Sequence, residues 1–515
     1  MKYKILWADD EIDLLKPHIL FLNQKGYEVV SVNNGMDALD IMEGQSFDVV
    51  FLDENMPGKS GLEILVDIKA NYPSVPVVMI TKSEEEYIME EAIGAKIADY
   101  LIKPLNPNQI LLSVKKILDN QRIISERTNL NYSQEFSRIS QVLNDDLDHH
   151  QWADLYKKLV YWELQIDQTQ EKSMSEVLLN QKDEANQKFS DFIADTYSHW
   201  LNDPDADKPL LSNQVLKKKV FPLMGDVPVV LIVIDNLRLD QWEIIEPEVL
   251  KLFEMERKEH YYSILPTTTA YARNALFSGL MPLDIEKQCP DLWVGEDEES
   301  SKNNFESELL GINLNREKVM GKYSYHKIIQ ARDGKALSES IGGYLSNPLT
   351  AIVYNFVDML SHARTDMQMI RQLAPDESAY RDLTRTWFNH SSLRETLTRL
   401  ARKQVKVVIT TDHGTIRVKK PVKMIGDRNT NTNLRYKQGK NLGFDEQKIF
   451  YTRNPESLGL PKLNVSTCYA FAREDGFFAY PNNYNYYVGY YRDTFQHGGI
   501  SLEEVIVPLI TLVNK

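Results

Sequence analysis

Cysteine is nearly absent. The 515-residue chain has two, Cys289 and Cys468, too few for a disulfide framework and nowhere spaced as the CxxC pair of a thiolate metal site. That usage fits a reducing compartment. Long hydrophobic runs are missing as well: the longest, roughly Val227 to Ile234, falls far short of the ~20 apolar residues needed to span a bilayer. The apolar run in the opening MKYKILWADDE is too short for a secretory signal core and ends in three acids. A soluble, cytoplasmic protein without membrane insertion is the expectation. An excess of positive charge is also lacking. With 59 Lys+Arg against 74 Asp+Glu the net charge is −15, which argues against non-specific duplex DNA binding but leaves room for a small basic pocket that takes a nucleotide. Hydrophobic residues at 43% and charged residues at 26% exclude wholesale disorder. The length predicts about two to four domains.

Proline is missing between Pro107 and Pro204, and the chain on either side of that gap reads differently from the gap itself. From 1 to 120, short β-branched runs (KILWA, YEVVSV, FDVVFLD, VPVVMIT, ADYLIK) alternate with amphipathic stretches such as GLEILVDIKANY. Five strands alternating with five helices predict a doubly wound parallel sheet, whose ligands sit at the carboxyl ends of the strands. Over 121–205 strand signals vanish and apolar residues recur at helical spacing, as in Phe136, Ile139 and Leu143. This predicts an all-helical connector continuous with the helix through Ile110, Val114, Ile117 and Leu118. The clustered Trp152, Tyr156, Tyr161 and Trp162 favour a compact bundle over a bare coiled-coil stalk. From 206 to 515 alternation returns. VPVVLIVID, TAIVYNFVD and VKVVIT read as buried parallel strands ending at polar residues. VIVPLITLV reads as a further strand, with Pro508 suited to an edge. GEDEESSKNNFESE (295–308) reads as a mobile polar excursion.

Three strand ends of the first domain carry Asp9-Asp10-Glu11, Asp53 and Lys103, and Thr81 closes a fourth. Converging carboxylates repel unless a divalent cation neutralises them, and oxygen-only ligands suit Mg²⁺. Asp9, Asp10 and Asp53, with Asn55 beside them, form the expected Mg²⁺ group. Asp53 can then attack a phosphodonor, Lys103 can pair with the phosphoryl oxygens, and the Thr81 hydroxyl can move to bond one of them. The set resembles the receiver domain of bacterial response regulators, including the D-x-x-M-P-x-x-x-G run from Asp53 to Gly61 and Tyr100 three positions before Lys103. The resemblance implies a cognate histidine kinase and a switch in which Thr81 and Tyr100 reposition, exposing the face between the fourth helix and the fifth strand. A phosphorylation-dependent homodimer is the expected consequence.

The last domain presents a second set of strand-end ligands: Asp235, then Asp358 and His362 four apart, then Asp412-His413, then His497 followed by glycines that permit close backbone approach to an ion. Carboxylates mixed with imidazoles suit Zn²⁺. Asp358, His362 and His497 would hold one ion, and Asp235, Asp412 and His413 a second, completed by the Thr269 hydroxyl. Two ions about 3.5–4 Å apart stabilise both oxygens of an in-line phosphoryl transfer. Thr269 would be the transient phosphate carrier. The order Asp, Thr, Asp-x-x-x-His, Asp-His, His resembles the alkaline phosphatase superfamily, which implies a large α/β domain of that type. By the same likeness the third threonine of LPTTTAYARNALFSG is the nucleophile rather than Thr267 or Thr268. That stretch and HGGISLEEVIVP are similar to its PglZ subgroup. Receiver, helical connector and PglZ domain in this order resemble the PorX-type regulators of Bacteroidetes. That resemblance implies a link to type IX protein secretion and a zinc phosphodiesterase acting on cyclic or short linear oligonucleotides.

Arg273, four after Thr269, is placed to clamp a substrate phosphate with its planar fork, or else to pair with surface carboxylates. Thr269-Ala-Tyr-Ala-Arg273 lacks both the Cys/Ser and the Pro of the sulfatase pattern C/S-x-P-x-R. YPNNYNYYVGYYRDTF (480–495) offers either base-stacking rings or an ordinary strand surface. Arg417 to Lys423 is a basic stretch read as a solvated loop or an attractor of anionic substrate. His18, His149, His150, His199, His260, His326 and His390 have no ligand-like placement. Two other functions compete. One is a signalling adaptor whose zinc domain is structural and which binds a transcription factor such as a sigma factor. The other is a phosphomonoesterase or mutase of the same superfamily.

Overall fold

A computed structural model describes residues 3–72, 75–82, 97–169, 172–225, 227–295, 303–427 and 430–515, with backbone alone at 119–126, 172, 366 and 368. The chain divides into two compact units, Met1–Glu135 with Gln165–Met174, and Phe136–Leu164 with Ser175–Lys515.

The first unit holds a parallel five-stranded sheet made of β1 (Lys4–Ala8), β2 (Glu28–Val32), β3 (Val49–Asp53), β4 (Val77–Thr81) and β5 (Asp99–Ile102), in the order β2-β1-β3-β4-β5. Alternate residues of each strand point to opposite faces, and both faces are apolar. Leu6, Val50, Leu52 and Met79 pack against α2 (Gly35–Gly44) and α3 (Gly61–Asn71). Ile5, Trp7, Phe51 and Ile80 pack against α1 (Lys16–Gln24) and the start of α4 (Pro107–Val142) through Ile110 and Val114. A capping box between Ser60 and Glu63 starts α3 directly after the β3 loop. The fourth helix expected between β4 and β5 falls on 83–96, outside the described residues.

The second unit contains most of α5 (His149–Asp167) and of α6 (Lys172–Asn202), and a six-stranded sheet. Its strands are β6 (Val229–Ile234), β7 (Phe253–Tyr262), β8 (Tyr323–Ile328), β9 (Leu349–Tyr354), β10 (Lys406–Thr410) and β11 (Ile506–Asn514), in the order β7-β11-β10-β6-β9-β8. β10, β6, β9 and β8 run parallel, while β11 is antiparallel to both neighbours. Val230, Ile232 and Ile234 feed one core and Val229, Leu231 and Val233 the other. Four further helices bear on the site: α7 (Glu306–Arg316), α8 (Phe356–Asp366), α9 (Gln368–Leu373) and α10 (Tyr484–Tyr491). No helix among the described residues is long and apolar enough to cross a membrane.

Several elements differ from the sequence reading. Pro508 lies inside the sheet, on β11 between β7 and β10. It has no N–H to give, and its carbonyl accepts from the Thr410 hydroxyl at 2.7 Å. The edge belongs to β7, whose FEMERKEHYY is charged enough to hide from a hydrophobic scan and has the composition that protects a sheet edge. The tyrosine-rich 484–491 segment is a helix rather than a strand surface. The basic stretch lies largely on strands rather than in a loop, with Arg417 facing Asp493 and Lys420 facing Glu474 and Asp475.

In the connector, Trp152 and Tyr156 are buried but Tyr161 is 54% exposed, so the bundle core takes only part of that cluster. Trp152 packs on Phe189 and Phe192. Tyr262 of β7 completes the packing, edge-on to Trp200 with its hydroxyl donating to the His149 carbonyl.

Next to Tyr262, His260 faces Lys157, Asp154, His150 and His149. Burial first, and then the Lys157 charge, pushes its imidazole down to about 4. The unfolded value is about 6.5. Between those two values the unfolded chain binds more protons than the folded one, so stability present above the upper value is lost as pH falls toward the lower. Replacing His260 with Gln should flatten that fall by on the order of 1 kcal/mol, the partial exposure of the ring being allowed for. Urea unfolding of both proteins near neutral pH and at mildly acidic pH measures the difference, and equal slopes would refute it.

Candidate active site

In the first unit the strand ends bring Asp9, Asp10 and Asp53 together, with one oxygen of each within 4.8 Å of the others. Asp9 and Asp53 are buried and Asp10 is exposed. Lys103 Nζ stands 2.9 Å from both Asp9 Oδ2 and Asp53 Oδ1. Burial raises the Asp53 pKa, with the Asp9 charge adding to it, and Lys103 opposes only part of that rise. Asn55, two residues on, has an exposed side chain. Thr81 is fully buried and Tyr100 half-buried. Gly61 is required sterically, since a Cβ there would lie 2.3 Å from the Asp53 carbonyl oxygen.

In the second unit the segments after β6 and β10 deliver Asp235 and Asp412 with His413, and α8, which begins just after β9, delivers Asp358 and His362. Asp235, Asp412 and His413 form one group, and Asp358, His362 and His497 another, each with ligand atoms within 4.8 Å. Within the second group His362 Nε2 is 3.5 Å from Asp358 Oδ2 and His497 Nε2 is 3.6 Å from Asp358 Oδ1. The groups adjoin: the His413 and His497 rings stack with centroids 4.4 Å apart. Asn236 ties them, its backbone N–H donating to Asp412 Oδ1 at 3.3 Å and its side chain to Asp358 Oδ1 at 3.2 Å. It does so with φ at 64°, a left-handed conformation that asparagine tolerates better than most residues.

Thr269 opens a π-helical turn, Thr269–Arg273, a geometry that recurs at functional sites. Its half-buried hydroxyl lies 3.1 Å from His413 Nε2 and 3.4 Å from Asp235 Oδ1. Thr267 is spent on structure, donating to the Gly499 carbonyl and accepting from the Gly498 N–H. Thr268 is buried.

Arg273 pairs with carboxylates that are buried rather than on the surface. It is 1% exposed, with Nη1 2.7 Å from Asp235 Oδ2 and Nε donating to Glu306 Oε1 at 2.5 Å. Two of its three nitrogens are thus engaged, and its geometry suits holding Asp235. Glu306, at the start of α7, had no signal of its own within a polar run, and the described end of that run (303–308) packs against the site. Asn303 donates to the Thr269 carbonyl at 2.8 Å. The rest of the expected excursion, 296–302, lies outside the described residues.

The loop bearing His497 is held from below by Glu504, also missed. It accepts from Gly499 N at 2.9 Å and Ser501 Oγ at 2.7 Å, and forms a fully buried pair with Arg435 at 2.6 Å. An acid embedded in the apolar run ISLEEVIVP was a readable signal for it. The glycines serve this packing: a Cβ on Gly499 would meet the Ala472 carbonyl oxygen at 2.4 Å, and Gly498 has φ at 118°.

The electrostatics of the cluster are those of a site short of positive charge. Burial raises the Asp358 pKa to about 6, helped by the Asp235 charge. Burial and Asp235 likewise raise Asp412. Burial works against ionised Asp235 too, but the Arg273 and His413 charges outweigh it and hold the pKa low. Burial, followed by the charges of His413 and His362, drives His497 well below the usual imidazole range. Asp412 Oδ2 is buried without a hydrogen-bond partner, its nearest cations being His413 Nε2 at 3.7 Å and Arg273 Nη1 at 3.9 Å. An orphaned carboxylate oxygen among nitrogen and oxygen donors fits a divalent cation.

A doubly wound sheet with acids and a lysine at its strand ends, joined to a hydrolase-like sheet with two adjoining ligand groups, defines a response regulator with a phosphatase-like effector. Comparison with protein families agrees. Residues 5–115 match the response regulator receiver domain, 122–201 the PorX response regulator linker domain, and 215–512 the PglZ alkaline phosphatase-like domain described for the BREX system. The last match covers more than half of the chain, which therefore belongs to the PglZ alkaline phosphatase-like family, with the domain order of the PorX-type response regulators. Its receiver domain implies phosphorylation by a histidine kinase.

Among curated proteins, the alginate biosynthesis transcriptional regulatory protein AlgB of Pseudomonas syringae pv. tomato is 33% identical over 120 residues, 23% of this chain and 27% of that protein. The transcriptional regulatory protein ZraR of Klebsiella oxytoca is 34% identical over 119 residues, again 23% and 27%. The match thus spans just over a quarter of the length of these relatives. Among solved structures, a CheY-like receiver domain protein from Methanospirillum hungatei is 26% identical with a TM-score of 0.23, covering 24% of this chain and 98% of that one. The response regulator DrrB of Thermotoga maritima is 32% identical with a TM-score of 0.22, covering 23% and 54%.

Proposed function

We propose that the chain is a cytoplasmic two-component response regulator whose effector domain is a zinc-dependent phosphodiesterase for cyclic or short linear oligonucleotides, acting in the regulation of type IX secretion. The receiver occupies 1–120, the connector bundle 121–205 and the effector 206–515. The observation that carries the enzymatic reading is the Thr269 hydroxyl, half-buried and within 3.1 Å of His413 where two ligand groups adjoin.

Asp358, His362 and His497 would hold one Zn²⁺, and Asp235, Asp412, His413 and Thr269 the other. Bound there, the two ions would supply Lewis-acid stabilisation of the attacking and leaving oxygens and ease ionisation of the hydroxyl. Thr269 loses its hydroxyl proton to solvent as Oγ attacks phosphorus, and the ester oxygen leaves with its electron pair and takes a proton from solvent; water then attacks the phosphothreonine, Oγ leaves and is reprotonated, and the phosphomonoester is released. Arg273 and Glu306 fix Asp235, Asn236 spaces Asp358 from Asp412, and Glu504 with Arg435 sets the height of His497.

In the receiver, Asp9, Asp10, Asp53 and Asn55 would hold Mg²⁺, Asp53 is the phosphoacceptor, and Lys103, Thr81 and Tyr100 answer its charge. Phosphorylation promotes a homodimer, and a sigma factor is a further partner. Light scattering of the full chain should show the mass doubling on beryllofluoride treatment; an unchanged mass at micromolar protein would refute the dimer.

Thr269→Ala should abolish hydrolysis of bis-p-nitrophenyl phosphate, by roughly a thousandfold or more, while zinc content stays at the wild-type level. Retained turnover in that variant would remove Thr269 from the mechanism. An inactive wild-type chain with full zinc would favour a structural metal domain that signals by binding a protein.

A further inference from the structure

An exposed aromatic array stands beside the site and the mechanism does not use it. Helix α10 carries five tyrosines in eight residues, and none of its residues is buried. Its inner edge, Tyr484, Val488 and Tyr491, rests on the small core around Ile416, Val418 and Phe477. Its outer edge presents Tyr486, 67% exposed, and Tyr490, whose rings are near-parallel at 15° with centroids 6.2 Å apart. Tyr487 and Tyr491 repeat that arrangement at 11° and 6.2 Å. Leaving this much aromatic area in water is unfavourable for folding alone and marks a binding face.

The cations around it indicate what binds. The Arg371 guanidinium lies 5.7 Å from the Tyr490 ring centre, and the exposed Lys423 has its Nζ 5.2 Å from that of Tyr484. Neither is paired with a carboxylate among the described residues. Elsewhere the chain is acidic, so unpaired cations interleaved with aromatic rings form a local exception. Exposed rings in near-parallel pairs with cations beside them are the two components of a single-strand nucleic-acid surface.

The array is also continuous with the reacting centre. Arg371, on α9, donates from Nε to the Arg364 carbonyl and from Nη2 to the Thr365 carbonyl, both in the last turn of α8. That helix carries Asp358 and His362, and His362 is 61% exposed. On the other side α10 leads through strand residues Phe495 and Gln496 directly into His497, and the Gln496 side chain donates to Thr365 Oγ1. A strand whose scissile phosphate lay at the metal-ligand groups would leave past His362 toward Tyr490.

We propose that Tyr486 and Tyr490, with Arg371, form a subsite that stacks bases of a single-stranded oligonucleotide beyond the scissile linkage, so that this edge selects oligonucleotides over simple diesters. The subsite rests on the phosphodiesterase reading above and names the part of the substrate that reading leaves open. A peptide partner would need no unpaired guanidinium against the Tyr490 ring.

Binding is measured on the full chain by fluorescence anisotropy with 5′-fluorescein pentathymidylate carrying phosphorothioate linkages, which resist cleavage. The double variant Tyr486→Ala/Tyr490→Ala should weaken binding about tenfold or more, and Tyr486→Phe/Tyr490→Phe should restore it, with circular dichroism confirming that both fold. Arg371→Gln should weaken binding and reduce its salt dependence by about one counterion. Unaltered affinity in the alanine variant, or no binding by the wild type at about 1 mM protein, would overturn the subsite and leave this face to a protein partner. Tyrosine-dependent binding by a zinc-loaded chain that cleaves no phosphodiester would support the subsite while sinking the catalytic reading, so the two failures are distinct.

Discussion

Three carboxylates, Asp235, Asp358 and Asp412, converge between the carboxyl ends of β6, β9 and β10, and the fold supplies too little positive charge to balance them. Arg273 is committed to Asp235 and Glu306. His497 is driven neutral and Asp412 Oδ2 is left without a partner. Burying like charges this close costs several kcal/mol per uncompensated ion, and a folded domain tolerates that only where something else brings the missing charge. The site is therefore best understood as a cradle whose balance is completed from outside the chain. The threonine that would react with substrate sits on its rim. The receiver follows the same logic at smaller scale, with Lys103 covering part of the charge of Asp9 and Asp53.

The cradle is shaped from behind as much as from its own loops. Connector helix α6 reaches the segment that follows His497: the Asn186 side chain donates to Glu503 Oε2 and accepts from Leu502 N, and Ser190 Oγ bonds the Ile500 carbonyl. Tyr197 accepts from Leu265 N, just upstream of the threonines. Lys182 sits between Glu163 and Glu503 at 2.6 and 3.4 Å. Buried ion pairs of this kind add little net stability but fix geometry closely. A shift of α6 would thus be felt both just upstream of the threonines and just after His497, which gives the connector helix a physical means of affecting the site.

Much of this was legible in the sequence because buried parallel strands are written as unbroken apolar runs, each ending at a polar residue. That rule located β3, β4, β6, β9 and β10 and the polar residues at or just after their ends, and the ligand candidates gather into one group in the first unit and two adjoining groups in the second. It failed where burial and composition part company. β7 is an edge strand with acids and lysines along its length, and Pro508 lies inside the sheet between β7 and β10. Glu306 sits in a polar run that reads as solvent-exposed but packs under Arg273. Five tyrosines in 484–491 suggest a strand by propensity and form a helix, since only Tyr484, Val488 and Tyr491 need to reach the core. For Arg273 the sequence left open a phosphate clamp or a pairing with carboxylates, because spacing reveals which side of a turn a residue occupies but not what already holds it.

Calorimetric titration of zinc into the chelator-stripped full chain, with Mg²⁺ present to occupy the receiver, tests the central claim most directly. A charge-deficient double cradle predicts two equivalents for the wild type and loss of one in Asp412→Asn, accompanied by proton release as Asp358 and Asp412 ionise fully. Uptake of no zinc, or of zinc unaffected by that substitution, would contradict it.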